Sequence, residues 1–145
     1  PRRLMTQISF YTHAADKLAI ARQLVAKARE QKLNVLVYTD NPSQAASLDR
    51  LLWSQPPLSF IPHCPDTSPL AAVTPVLIGT RADALANADL IINLADEPPA
   101  VFSRFSRLME IVGNDEQDLQ RGRQRYRYYK DRGYELVNHD LQKRG

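Results

Sequence analysis

Apolar residues in the first half of the chain recur in two rhythms. Residues 7–11, Gln-Ile-Ser-Phe-Tyr, are short, β-branched and aromatic, and residues 16–31 follow with Leu18, Leu24, Val25 and Ala28 at helical spacing. This predicts a strand and then a helix. Residues 34–38, Asn-Val-Leu-Val-Tyr, form a continuous apolar run, the mark of a strand covered on both faces. Thr39-Asp40-Asn41-Pro42-Ser43 then opens a second helix that runs through Leu52. Two successive β–α units predict an α/β fold with a mainly parallel sheet and right-handed crossovers.

The rhythm breaks over residues 51–63, where Pro56, Pro57 and Pro62 forbid a regular helix and predict a stiff loop carrying Trp53 and Phe60. Large aromatics on such a loop either lid the core or anchor a partner. Residues 64–75, with Pro65, Pro69 and Pro75, read as an irregular connection. Residues 75–79 and 90–94 read as further strands, with a short helix or turn at 81–86 between them. Residues 95–99 break the chain ahead of a turn through Phe102 and Phe105. Residues 107–112 predict another strand, a helix starting at Val101 being the alternative, and residues 134–139 an edge strand.

Between them, residues 114–133 read as one helix. Asn114 or Asp115 caps its start, Glu116 and Asp118 sit at the positive end of its dipole, cations fill the last turn, and Gly133 stops it. At about 100° per residue, Leu119, Gly122, Tyr126 and Tyr129 share one arc, Arg121, Arg125, Tyr128 and Arg132 cluster on the far side, and Arg123, Arg127 and Lys130 flank the arc. An apolar strip edged by cations suits a ligand that is both greasy and anionic, such as an acidic peptide ending in an aromatic residue. The plainer alternative is a helix that packs its Leu/Tyr face and solvates its arginines.

Composition narrows this picture. At 145 residues and 43% hydrophobic content the chain has the size of a single domain with one core, spanning residues 1–145. Met5 reads as a natural initiator, which makes residues 1–4 a disordered leader remnant outside the fold. The net charge of +3 is mild and the basicity is concentrated late in the chain, which points to a local site. Cys64 is the only cysteine, so neither an intramolecular disulfide nor a Cys-rich zinc site can form, and a reducing cytoplasm fits. With no apolar run near 18 residues and no signal peptide, a soluble protein away from membranes is expected.

The chemistry of nucleotide enzymes is missing. Neither G-x-x-x-x-G-K-[ST] nor G-x-G-x-x-G occurs, and the first β–α turn offers an acidic Asp16 where a phosphate would sit, so no phosphate-binding loop and no cofactor are expected. There is no G-x-S-x-G or H-E-x-x-H. Asp96 and Glu97, ahead of two prolines, read as solvated turn residues, and His63 as a structural histidine. No catalytic residue and no metal ligand is assigned. A direct single-stranded nucleic-acid binder is a competing reading, because six basic residues lie from Arg121 to Arg132 with three tyrosines among them.

Taken together, several segments resemble the chi subunit family of bacterial DNA polymerase III holoenzyme. They are Leu52-Trp53 ahead of Ser59-Phe60-Ile61-Pro62-His63, Pro75-Val76-Leu77-Ile78, Asp89-Leu90-Ile91-Ile92-Asn93-Leu94, Glu110-Ile111-Val112, and Arg123-x-x-Tyr126 leading to Gly133-Tyr134. The resemblance implies a Rossmann-like three-layer fold acting as a non-catalytic adaptor in the clamp-loader assembly at the cytoplasmic, nucleoid-associated replisome. Its partners would be the psi subunit and the acidic, phenylalanine-ended C-terminal tail of single-stranded DNA-binding protein, with DNA contacted only indirectly. By the same resemblance Val112 lines the hole for the terminal aromatic, Arg123 pairs with the terminal carboxylate and Tyr126 walls the site. Trp53, Phe60 and Pro62 match the surface turned to psi or other partners. Leu119 departs from the pattern where some relatives carry a lysine, leaving Arg127 and Lys130 as substitute cations.

Overall fold

A computed structural model describes residues 5–54, 62–71, 74–80, 89–100 and 102–143. The helix expected at 81–86 and the site residue Phe60 lie outside these described residues. Among the described residues seven strands form one sheet, β1 (Gln7–Ala14), β2 (Val35–Tyr38), β3 (His63–Pro65), β4 (Val76–Gly79), β5 (Leu90–Asn93), β6 (Arg107–Gly113) and β7 (Leu136–Asp140). Three α-helices among the described residues complete the fold: α1 (Lys17–Glu30), α2 (Pro42–Ser54) and α3 (Glu116–Asp131). The sheet order is β3-β4-β2-β5-β6-β1-β7, and every paired neighbour runs parallel. This is the expected three-layer α/β architecture, with the sheet parallel throughout.

Strand alternation sorts the core into two faces. Val35, Val37, Val76, Ile78, Leu90, Ile92, Met109 and Ile111 pack under α1 and α2, which contribute Ala21, Leu24, Val25, Ala28, Leu48 and Leu52. Ile8, Phe10, Leu36, Leu77, Ile91, Leu108 and Val112 face the other way, against Phe102, Phe105 and Tyr129. The central strands are buried on both sides, which is why they read as unbroken apolar runs. Each helix starts where the sequence offers a cap: Asp16 accepts from the Ala19 N–H, and Asp115 from the Asp118 N–H at 2.8 Å. Gly133, at φ +87°, follows the end of α3 in a left-handed conformation suited to glycine.

Four expectations need correction. The segment at 64–75 is not wholly irregular, because His63–Pro65 pairs with β4 as a three-residue strand, too short to show a period. Its proline is tolerated on a sheet edge, where one N–H is not required. Helix α2 reaches Ser54, so Trp53 stands on its last turn and not on a loop. Trp53 is also 56% exposed, which rules out a core lid. Strand β1 continues three residues past Tyr11, through Thr12 and His13, with a register shift against β6 between Tyr11 and Ala14. Residues 107–112 form a strand as expected, and the helical alternative is excluded.

Candidate functional site

Helix α3 crosses the sheet over β6 and β1 with its axis held close by one glycine. A Cβ added at Gly122 would lie 2.8 Å from Val112 Cγ2 and 2.9 Å from Cγ1, closer than carbon atoms approach. The helix therefore rests directly on Val112. Its start is fixed by Asp118, whose carboxylate accepts the Gly113 N–H and stands 3.3 Å from Lys17 Nζ.

The buried side of α3 is made of Asp118, Gly122, Arg125 and Tyr129. Arg125 thus lies inward, contrary to the far-side placement read from periodicity, and the reason is Glu110. That residue is fully buried on β6, between Leu108 and Val112, and accepts from Arg125 Nε at 2.9 Å, Tyr129 Oη at 2.6 Å and Asn93 Nδ2 at 3.0 and 3.1 Å. Arg125 Nη1 donates to the Asp96 carbonyl at 3.0 Å, while Nη2 finds no hydrogen-bond partner among the described residues. Burial pushes the Glu110 carboxyl above its ordinary range, against the pull of the Arg125 charge and the three donors. Burial and the Glu110 charge also push the Tyr129 hydroxyl up, so it stays protonated and donates. A charge in an apolar strand demands such a partner. The carboxylate at 110 was visible in the sequence, but which arginine would answer it was not.

With its buried line centred on Gly122, Arg125 and Tyr129, α3 is turned by about 50° from the arc inferred from its sequence, at 100° per residue. Leu119 and Tyr126 consequently fall at the flank of the packed face, half-buried, and a hollow of about 470 Å³ opens beside them. Val112, Gly122 and Leu119 line it together with Tyr126, whose ring meets that of Phe10 edge-on at 5.2 Å. Arg123, Arg127 and Lys130 line the same hollow. The opposite wall, Phe10, Thr12, His13 and Asn138, comes from β1 and β7. All five residues expected at a tail site, Val112, Arg123, Tyr126, Arg127 and Lys130, are therefore brought together, and the β1 and β7 wall is what sequence reasoning missed. The alternation of residues 8, 10 and 12 on one face of β1 was the available signal.

The six basic residues of this region divide evenly. Arg121 pairs with Asp96 at 3.2 Å, Arg125 with Glu110, and Arg132 lies over the Tyr128 ring with Cζ 3.5 Å from its centroid. Arg123, Arg127 and Lys130 have no acidic partner among the described residues, and these three are the ones that line the hollow. The site is an apolar pit with an uncompensated positive rim.

The second predicted surface is only partly described. Trp53 and Pro62 are exposed, and Trp53 packs its ring 4.7 Å from that of His63. His63 is buried, with Nε2 3.1 Å from Asp49 Oδ1 on α2, a placement that ties β3 to α2. Among the described residues no three His, Cys, Asp or Glu side chains gather as a metal site, and no helix is long and apolar enough to cross a membrane.

Comparison with known proteins identifies the lineage. The family model described as DNA polymerase III chi subunit, HolC, matches residues 5–137. The chain belongs to the DNA polymerase III chi subunit family. It is 34% identical over 141 residues to the DNA polymerase III subunit chi of Pseudomonas aeruginosa, covering 94% of this chain and 98% of that protein. The chi subunit of Haemophilus influenzae is 29% identical over 84% of this chain and 85% of its own length. That of Escherichia coli is 25% identical over 83% and 86%. Membership makes the chain an accessory subunit of DNA polymerase III.

Proposed function

We propose that this chain is a non-catalytic adaptor of the polymerase III clamp-loader assembly, holding the acidic C-terminal tail of single-stranded DNA-binding protein in the hollow beside α3. A terminal phenylalanine enters the hollow lined by Val112, Gly122 and Tyr126, its carboxylate pairs with Arg123, and upstream aspartates meet Arg127 and Lys130. The exposed Trp53 and Pro62 face the psi subunit, which tethers the adaptor to the clamp loader. In this reading the protein forms one domain, works in the cytoplasm at the replisome and touches DNA only through its partners.

One observation carries the reading: the three cations of α3 left without an acidic partner among the described residues are the three that surround an apolar pit. An anion with a hydrophobic end satisfies both halves at once, whereas a nucleic-acid strand would need a continuous basic track. The direct nucleic-acid reading loses half of its six basic residues to internal partners.

The test is titration of a fluorescent tail peptide against the intact protein and Arg123→Ala. The substitution removes a surface side chain and leaves the thermal midpoint unchanged. It weakens binding by about 1.5–3 kcal/mol, the range for a charged hydrogen bond. Equal affinities would reject Arg123 as the anchor. An oligonucleotide alone should show no gel shift, and a shift would favour the competing reading.

A further inference from the structure

The hollow is also lined by His13, from an element with no part in the helix pattern. Strand pairing sets Thr12 beside Asp140 and Ala14 beside Gly113, which puts His13 at the end of the hollow where α3 begins. There α3 presents Leu119, and its unpaired cations lie further along. His13 has φ 59°, a left-handed conformation uncommon outside glycine, adopted where the register of β1 against β6 shifts. Its Nδ1 lies 2.9 Å from Asp140 Oδ1, and that oxygen also accepts the Gln142 N–H at 3.0 Å. The carboxylate is thus held in place and orients the ring. Because a carboxylate only accepts, Nδ1 carries the proton, and Nε2 is left for whatever occupies the hollow.

We infer that His13 is a recognition residue of the hollow, donating from Nε2 to a carboxylate of an acidic peptide while Nδ1 stays on Asp140. This rests on the reading of the hollow as the seat of an acidic chain end. Donation from both nitrogens requires the imidazolium, so an acidic ligand that engages Nε2 binds together with a proton. The imidazole side chain ordinarily changes charge between about pH 5 and 8, which makes the coupling measurable there. The charged groups around His13 are Asp140 on β7, Arg123, Arg127 and Lys130 on α3, and the Lys17–Asp118 pair where α1 and α3 begin. A ligand carboxylate accepting from Nε2 adds a second acceptor that only the imidazolium can satisfy, so occupancy and protonation support each other. Affinity for an acidic peptide therefore rises as pH falls.

The experiment uses two synthetic peptides ending in a free phenylalanine, one with aspartates upstream and one with asparagines at the same places. Each is titrated at pH 5.5 and pH 8 against the intact protein, His13→Asn and Arg123→Ala. Asparagine tolerates the positive φ and can still bond Asp140 but carries no charge. The expected result is a loss of about threefold to fivefold for His13→Asn with the aspartate peptide at pH 5.5, the scale of a partly exposed ion pair. Its pH slope flattens, and its affinity for the asparagine peptide is unchanged. His13→Gly gives the same comparison should the asparagine variant fold poorly. Equal losses toward both peptides, or an unaltered pH slope, overturn the inference. A loss with Arg123→Ala but none with His13→Asn overturns the His13 role alone, and no loss with either overturns the reading of the hollow as well.

Discussion

Glu110 shows how one residue can decide a site it does not line. It stands between Leu108 and Val112 on the face of β6 that α3 covers, and its burial is tolerated only because Arg125, Tyr129 and Asn93 all donate to it. Removing Arg125 strands a carboxylate in the core. Arg125→Ala should therefore cost about 3–5 kcal/mol in urea unfolding, and replacing both partners by Glu110→Leu with Arg125→Met should recover most of that loss. A single-variant cost below 1 kcal/mol would show that the pair does not orient α3. At this scale the sequence was half legible. A lone acid in an apolar strand asks for a cation, but four arginines from Arg121 to Arg127 could answer, and only the packed helix selects Arg125. Arg123, by contrast, was read as flanking the apolar arc, and it lines the hollow.

Helix α3 is the element in which prediction and structure differ most usefully. Its ends were legible, since caps are local: Asp115 bonds three residues ahead, and Gly133 supplies the positive φ just past the last turn. Its rotation was not. Leu119, Gly122, Tyr126 and Tyr129 look like the inward face, yet the helix turns to bury Asp118 and Arg125 beside Gly122 and Tyr129, which leaves Leu119 and Tyr126 to line a hollow. Gly122 makes the approach possible. Gly122→Ala should lower the thermal midpoint although alanine is the better helix former, because overpacking against Val112 costs about 1–3 kcal/mol and exceeds the gain in propensity of about 1 kcal/mol. The same change should weaken peptide binding by displacing the floor of the hollow. Combining it with Val112→Ala should restore stability relative to the sum of the two single changes, as expected for residues in direct contact. Strict additivity would mean that the two do not touch.

At the scale of the whole molecule, a fully parallel sheet with helices on both faces is the architecture on which nucleotide enzymes are built, and here it belongs to a chain of the chi subunit family. The difference sits at the first β–α turn, where the Asp16 side chain accepts from the Ala19 N–H and places a negative charge at the end of α1 that would otherwise receive a phosphate. Millimolar ATP or NAD should leave the melting temperature unmoved, and a concentration-dependent rise would reopen the enzyme reading. The amino-acid sequence determined most of what depends on neighbours within a turn or two: six of the seven strands of the described sheet, the capped starts of the helices, the α/β class that follows from their alternation, and the chemistry of the late helix. Tertiary structure decided what depends on residues far apart in the chain. It brought β7 alongside β1, supplied His13 and Asn138 as the far wall of the hollow, and divided the six basic residues of the late helical region into three engaged internally and three left at the rim. The physical reason is that periodicity fixes which side chains share a face of a helix, whereas the partner buried beneath that face fixes which way it turns.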